Sequence, residues 1–246
     1  MRDGLIASAY PEQCRLCADA VESYDDGVAC HNCWLDPAIT ELIRGPICLK
    51  CGAPLSNESN ALRLCGKCEP LPFSVARACA VYAGAIEASI LFLKSQPRIC
   101  RRLREIITET YSKHSADLAA DIVVPVPLYR SRERERGFNQ ARLVAKLIAR
   151  KFDLKLDDRS LARVKPTERH RAGFDAIDRS RSVERAFKVT RPDSINNASV
   201  LLIDDVFTSG STISAAASRL VEAGASRVSV MTIARAMGES RARVRG

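Results

Sequence analysis

A chain of 246 residues, 46% hydrophobic and 27% charged, has the composition of an ordinary globular protein and length for one large domain or two smaller ones. The formal charge of +9 is uneven: residues 1–120 carry 13 Lys and Arg against 14 Asp and Glu, net −1, whereas residues 121–246 carry 25 against 15, net +10. A basic field of that size attracts polyphosphate or nucleic acid, although a solvated arginine-rich surface gives the same count. No apolar run reaches the roughly 18 residues of a membrane span. The longest, ACAVYAGAIEASILFLK, is interrupted by Gly84 and Glu87, so no membrane insertion is expected. MRDGLIASAYPEQC has no basic segment followed by an apolar core, so no signal peptide is read and the cytoplasm is the expected compartment.

Eight of the ten cysteines form four C-x-x-C pairs: Cys14/Cys17, Cys30/Cys33, Cys48/Cys51 and Cys65/Cys68. A reducing compartment disfavours disulfides, and each pair can aim two thiolates at one metal, so the spacing predicts two structural four-thiolate zinc sites. Sequential pairing of the knuckles is expected; sharing of one metal by the first and third is compatible with the same spacing. Gly52 and Gly66, each just after a cysteine, suit the tight backbone of a knuckle. Four thiolates leave no open coordination position, which argues against a catalytic zinc. His31, inside the second knuckle, is an alternative ligand by type. Cys79 and Cys100 lack a paired spacing and read as packed apolar residues.

Pro70-Leu71-Pro72 reads as a linker, Ala78 to Tyr82 as a short strand and Ile86 to Lys94 as the start of an amphipathic helix. Pro97 breaks that helix, and CRRLREIITETYSKH resumes at helical period. DIVVPVP, Asp121 to Pro127, is a buried strand. Arg130, Arg132, Arg134 and Arg136 follow in quick succession, then Gly137, Asn139 and Gln140, then a helix whose apolar face is Leu143, Val144, Leu147 and Ile148. Clustered guanidiniums suit a pyrophosphate group; Glu133 and Glu135 among them are equally consistent with a solvated helix start.

The chain is organised around VLLIDDVFTSGSTI. Val200 to Ile203 is a buried parallel strand, and Asp204 and Asp205 stand where it is expected to end. Thr208, Ser209, Gly210, Ser211 and Thr212 form a small-residue loop before an alanine-rich helix that stops near Gly224. Loop N–H groups and hydroxyls at a helix N-terminus can hold a phosphate, and the two carboxylates can accept hydrogen bonds from a sugar diol. An ordinary strand-to-helix turn with Ser and Thr caps contains the same parts without a ligand. Arg227 to Ala234 is a further strand, and RARVRG a basic tail.

The acid pair followed by Thr208 to Thr212 resembles the phosphoribosyl-pyrophosphate (PRPP) motif of type I phosphoribosyltransferases. The order of cysteine-rich region, PVP, RERGFNQA and VLLIDDVFTSGSTI resembles the ComF family over nearly the whole chain, with RGFNQ (Arg136 to Gln140) the most specific segment. The resemblance implies that Asp204 and Asp205 hold the ribose hydroxyls and that Thr208 to Thr212 hold the 5′-phosphate. It also implies that the segment from Val126 to Asn139 supplies both a loop that binds the pyrophosphate and a mobile basic loop that closes over it, through Arg130, Arg132, Arg134, Arg136, Gly137 and Asn139 with Gln140, and with Mg²⁺ on the diphosphate. Lys94, in IEASILFLK, resembles a family lysine and becomes a further phosphate contact, although a lysine snorkelling at a helix end accounts for it too. Arg163, Thr167, Arg179, Val183, Ala186 and Phe187 keep the family pattern; His170, Gly173 and Ser182 depart from it and bear on the acceptor.

The expected fold is α/β: a type I phosphoribosyltransferase-like, mostly parallel sheet flanked by helices in residues 71–246, with a separate zinc-ribbon-like region in residues 1–70. The implied chemistry is displacement of pyrophosphate at the anomeric carbon by an unnamed acceptor, in a protein of DNA uptake and natural transformation. No general acid or base is evident beyond His114 and His170. The alternative is a non-catalytic module binding single-stranded DNA through the same loop and basic surface, against which stands an aromatic content of 5%.

Overall fold

The computed structural model describes residues 12–55, 64–66, 68–166 and 186–237. Five strands form one parallel sheet: β1 (Val75–Val81), β2 (Ile122–Pro125), β3 (Lys155–Leu156), β6 (Ser199–Phe207) and β7 (Arg227–Arg235), in the order β1-β7-β6-β2-β3. A two-stranded antiparallel ribbon, β4 (Leu161–Arg163) with β5 (Phe187–Val189), stands apart from it. The central strands are apolar on both faces, as a parallel sheet covered on both sides requires.

Alternation along β6 divides the core. Leu201 and Ile203 face a layer made by α2 (Gly84–Ser95), α3 (Arg101–Lys113) and α6 (Gln140–Lys151), through Ile90, Leu103 and Ile148. Val200 and Leu202 face α7 (Ser211–Glu222), whose Ala215, Ala216 and Ala217 let the helix lie close to the sheet. Val144 and Ile148 of the expected apolar face of α6 are buried, and Leu143 and Leu147 pack partly against the same core. The loop after β2 therefore leads to a helix on one face, and the loop after β6 to a helix on the other. Between the carboxyl ends of these two neighbours lies the crevice where open α/β sheets bind ligands.

Two boundaries differ from the sequence expectation. β6 runs past its apolar half to Phe207, because Asp204 to Phe207 stay in register with Thr232 to Arg235 of β7; the acid pair thus lies within the strand, not after it. The expected basic loop contains a helix, α5 (Arg130–Arg136), closed by Gly137 at φ 79°, whose N–H donates to the Glu133 carbonyl. Alternating Arg and Glu are good helix formers, and glycine adopts the left-handed C-cap without strain.

The cysteine-rich segment, which includes the short α1 (His31–Leu35), is not held apart from the sheet. Ile43 N–H donates to the Cys79 carbonyl and Val81 N–H to the Glu41 carbonyl, covering the free edge of β1, while Ala76 N–H donates to the Lys50 carbonyl. Cys14, Cys30, Cys33 and Trp34 pack into the core on the α2 side, and Cys48, Cys51 and Cys68 into the core on the α7 side. The segment therefore wraps one edge of the sheet, which removes the hazard of an unpaired edge strand.

Candidate functional site

The eight knuckle cysteines form two sites with sequential pairing, Cys14, Cys17, Cys30 and Cys33 in one, and Cys48, Cys51, Cys65 and Cys68 in the other. Sulfur–sulfur distances are 3.7 Å for Cys14–Cys33, 3.6 Å for Cys17–Cys30, 3.5 Å for Cys48–Cys68 and 3.6 Å for Cys51–Cys65. Zinc–sulfur bonds of about 2.3 Å in a tetrahedron place sulfurs about 3.8 Å apart, so both sets fit zinc, and both exceed any disulfide. N–H groups of Cys51 and Cys65 point at the Cys48 sulfur, at 3.5 and 3.4 Å, which stabilises thiolate. His31 is outside both sets: it is exposed and its N–H meets the Glu22 carboxylate. Cys79 and Cys100 are buried, as expected.

At the end of β6, Asp205 is buried and Asp204 half-buried. Lys94 Nζ lies 3.1 Å from Asp205 Oδ2, and Gln140 Nε2 donates to the same oxygen at 3.1 Å. Arg136 in turn donates to Gln140 Oε1 at 2.6 Å. Residues from α2, α5, α6 and β6 are thus joined in one polar chain. Burial and then the Asp205 charge push the Asp204 carboxyl well above the usual carboxylate range. Tyr82, unflagged by the sequence reading, is drawn into the same field: burial, Glu87 and Asp205 push its phenol up against the pull of Lys94. Arg163, one of the residues that keep the family pattern, joins them: burial pulls its guanidinium down while the Asp204 charge holds it up, and it stacks 5.2 Å over Phe187.

Beside the acids is a cavity of about 290 Å³ lined by Lys94, Ser95, Arg132, Glu135 and Arg136. Burial and then Arg132 pull the Arg136 guanidinium down, against the opposing charges of Asp205 and Glu135. Arg130 and Asn139 line a second cavity of about 200 Å³ on the Arg163 side. Asn139 also caps α6: its Oδ1 accepts from Ala141 N–H and its Nδ2 donates to the Val126 carbonyl, both at 2.9 Å. Arg134 is exposed and lines neither cavity. His114 is at the other end of the sheet, 3.7 Å from Asp117, whose carbonyl accepts from Arg227 at the start of β7. His170 and the rest of 167–185, with Thr167, Gly173, Arg179, Ser182 and Val183, lie outside the described residues, as does the RARVRG tail.

Thr208, Ser209 and Ser211 are exposed, Thr212 is half-buried and Gly210 buried. Ser211 N–H donates to the Ser209 hydroxyl at 3.4 Å, and Gly210, which has no side chain to cap α7, enters it at φ 82°. A Cβ there would lie 2.9 Å from the Phe207 ring, so glycine is required by both conformation and space. The first turn of α7, beside the four hydroxyls of Thr208, Ser209, Ser211 and Thr212, is suited to an anion.

Residues 5–69 match the family described as a double zinc ribbon domain, and residues 93–245 match the phosphoribosyl transferase domain. Competence protein F of Haemophilus influenzae is 34% identical over 117 residues, 47% of this chain and 51% of that protein. Competence protein ComFC of Bacillus subtilis is 28% identical over 85% of each chain. DNA utilization protein YhgH of Escherichia coli K12 is 29% identical over 78% of this chain and 85% of its own. The chain spans about half the length of the first of these and most of the other two. It belongs to the phosphoribosyltransferase domain family and, with its double zinc ribbon and these relatives, to the ComF family within it.

Proposed function

We propose that the crevice between β2 and β6 binds PRPP in the cytoplasm, as part of DNA uptake or use, the setting in which the relatives are named. Asp204 and Asp205 accept hydrogen bonds from the ribose 2′ and 3′ hydroxyls, and Thr208 to Thr212 with the first turn of α7 take the 5′-phosphate. Lys94, Arg132 and Arg136 face the pyrophosphate. Mg²⁺ on the diphosphate would neutralise charge on the leaving group. With an acceptor present, the nucleophile bonds to the anomeric carbon as the carbon–oxygen bond breaks, and the electron pair leaves on pyrophosphate. Positioning and charge neutralisation supply most of such catalysis.

The observation that carries this reading is the chain Arg136–Gln140–Asp205–Lys94, which ties the basic groove to the acid pair. Asp204→Asn with Asp205→Asn removes two charged acceptors, each worth about 1.5–3 kcal/mol, so PRPP affinity in equilibrium dialysis falls at least about 100-fold while zinc content and circular dichroism stay unchanged. A folded double variant with wild-type affinity contradicts the diol assignment. The exposed guanidiniums of Arg130, Arg132 and Arg134 favour a second reading, single-stranded DNA laid along the same face.

A further inference from the structure

Two stacked side chains link the second zinc site to the Thr208–Thr212 loop. Arg235, the last residue of β7, donates from Nη1 to the Cys51 carbonyl at 2.8 Å and brings Nη2 to 3.8 Å from the Cys51 sulfur. Its guanidinium also stacks 4.3 Å over the ring of Phe207, the last residue of β6. Phe207 is buried, lies edge-on to Phe73 at 6.1 Å, and its carbonyl accepts from Ala236 N–H at 2.9 Å. The outer end of that ring closes in on Gly210, where a Cβ would lie 2.9 Å from Cζ and 3.1 Å from Cε1.

A four-thiolate zinc site carries a net charge of −2, so a guanidinium in contact with one sulfur is drawn toward it. The same guanidinium attracts the face of the aromatic ring. We infer that Arg235 and Phe207 are positioning residues that brace the Thr208–Thr212 loop against the Cys48–Cys68 zinc site. Integrity of that site then sets how well the loop is preorganised for a phosphate. The ligand part of this inference rests on the reading under Proposed function; the brace itself does not.

Hydrogen–deuterium exchange of ligand-free, zinc-loaded protein reads the brace directly. In Arg235→Gln, amides of residues 208–213 exchange about tenfold faster, those of β2 and the first zinc site are unchanged, and zinc stays at two per chain. Arg235→Lys, which keeps the charge and loses the planar face, is intermediate. Affinity for ribose 5-phosphate, which loads the loop and the acids, falls about tenfold in Arg235→Gln, while affinity for inorganic pyrophosphate does not change. Unchanged loop exchange in zinc-replete Arg235→Gln overturns the brace. Should that variant shed zinc, Phe207→Leu decides, because Phe207 is not among the cysteine ligands: faster loop exchange supports the brace and unchanged exchange refutes it. Wild-type protein that binds neither ribose 5-phosphate nor PRPP would sink the functional reading, while exchange still answers for the brace.

Discussion

At Asp204 stability and binding pull in opposite directions. The folded chain holds its carboxyl proton to higher pH than the unfolded chain, whose value lies near 3.8. The folded state therefore binds more protons above that value, and stability falls as pH rises toward the raised one. Asp204→Asn should raise the melting temperature of ligand-free protein at neutral pH, with no gain at pH 3 where both states are protonated. Thermal melts across pH 3–8 check this; a variant less stable than wild type at pH 7 would show that Asp204 is not strained. Gly210→Ala should cost about 1–2 kcal/mol from the left-handed conformation alone, and more from the Phe207 ring, measured by urea denaturation. The acid pair and the small-residue loop were legible because they are contiguous. Tyr82 and Arg235 were not, since only the folded sheet brings the ends of β1 and β7 to this crevice; Arg163 was legible as part of a family pattern, but its place beside Asp204 was not.

Among the elements, β1 accounts for the placement of the cysteine-rich segment. A C-x-x-C pattern declares its metal but not its neighbours, so the zinc region read as an appendage. An edge strand needs a partner and a small metal-bound segment lacks a large core of its own; each supplies the other's need. Replacing Cys48 and Cys51 by Ser should therefore lower zinc from two per chain to one and raise exchange at β1 amides such as Ala76, which donates to Lys50 beside the knuckle. Full zinc in that variant refutes the cysteine assignment, and protected β1 amides refute the edge contact. The same blindness to partners explains β6: apolar pattern ends at Ile203, but pairing with β7 carries the strand on to Phe207. For α5 the charge alternation was visible, but its helical form depends on Gly137 closing the last turn, a backbone property that a charge count does not show.

On the scale of the whole molecule, charge and topology agree. The basic half of the sequence contains both strands whose carboxyl ends form the crevice, with Lys94 reaching in from α2. Among the described residues no helix is long and apolar enough to cross a membrane. A basic surface alone binds nucleic acid in a salt-dependent way, losing orders of magnitude in affinity between about 50 and 200 mM salt for several phosphate contacts. A site built of two acids, a helix start entered through glycine and a lysine paired with Asp205 has more demanding geometry. The direct test is calorimetric titration of the wild-type protein with PRPP and Mg²⁺, repeated with a single-stranded oligonucleotide at two salt concentrations. Saturable 1:1 PRPP binding that persists in salt, with oligonucleotide binding that salt erases, is the predicted result. Oligonucleotide binding with no heat of PRPP binding under either condition would contradict the account.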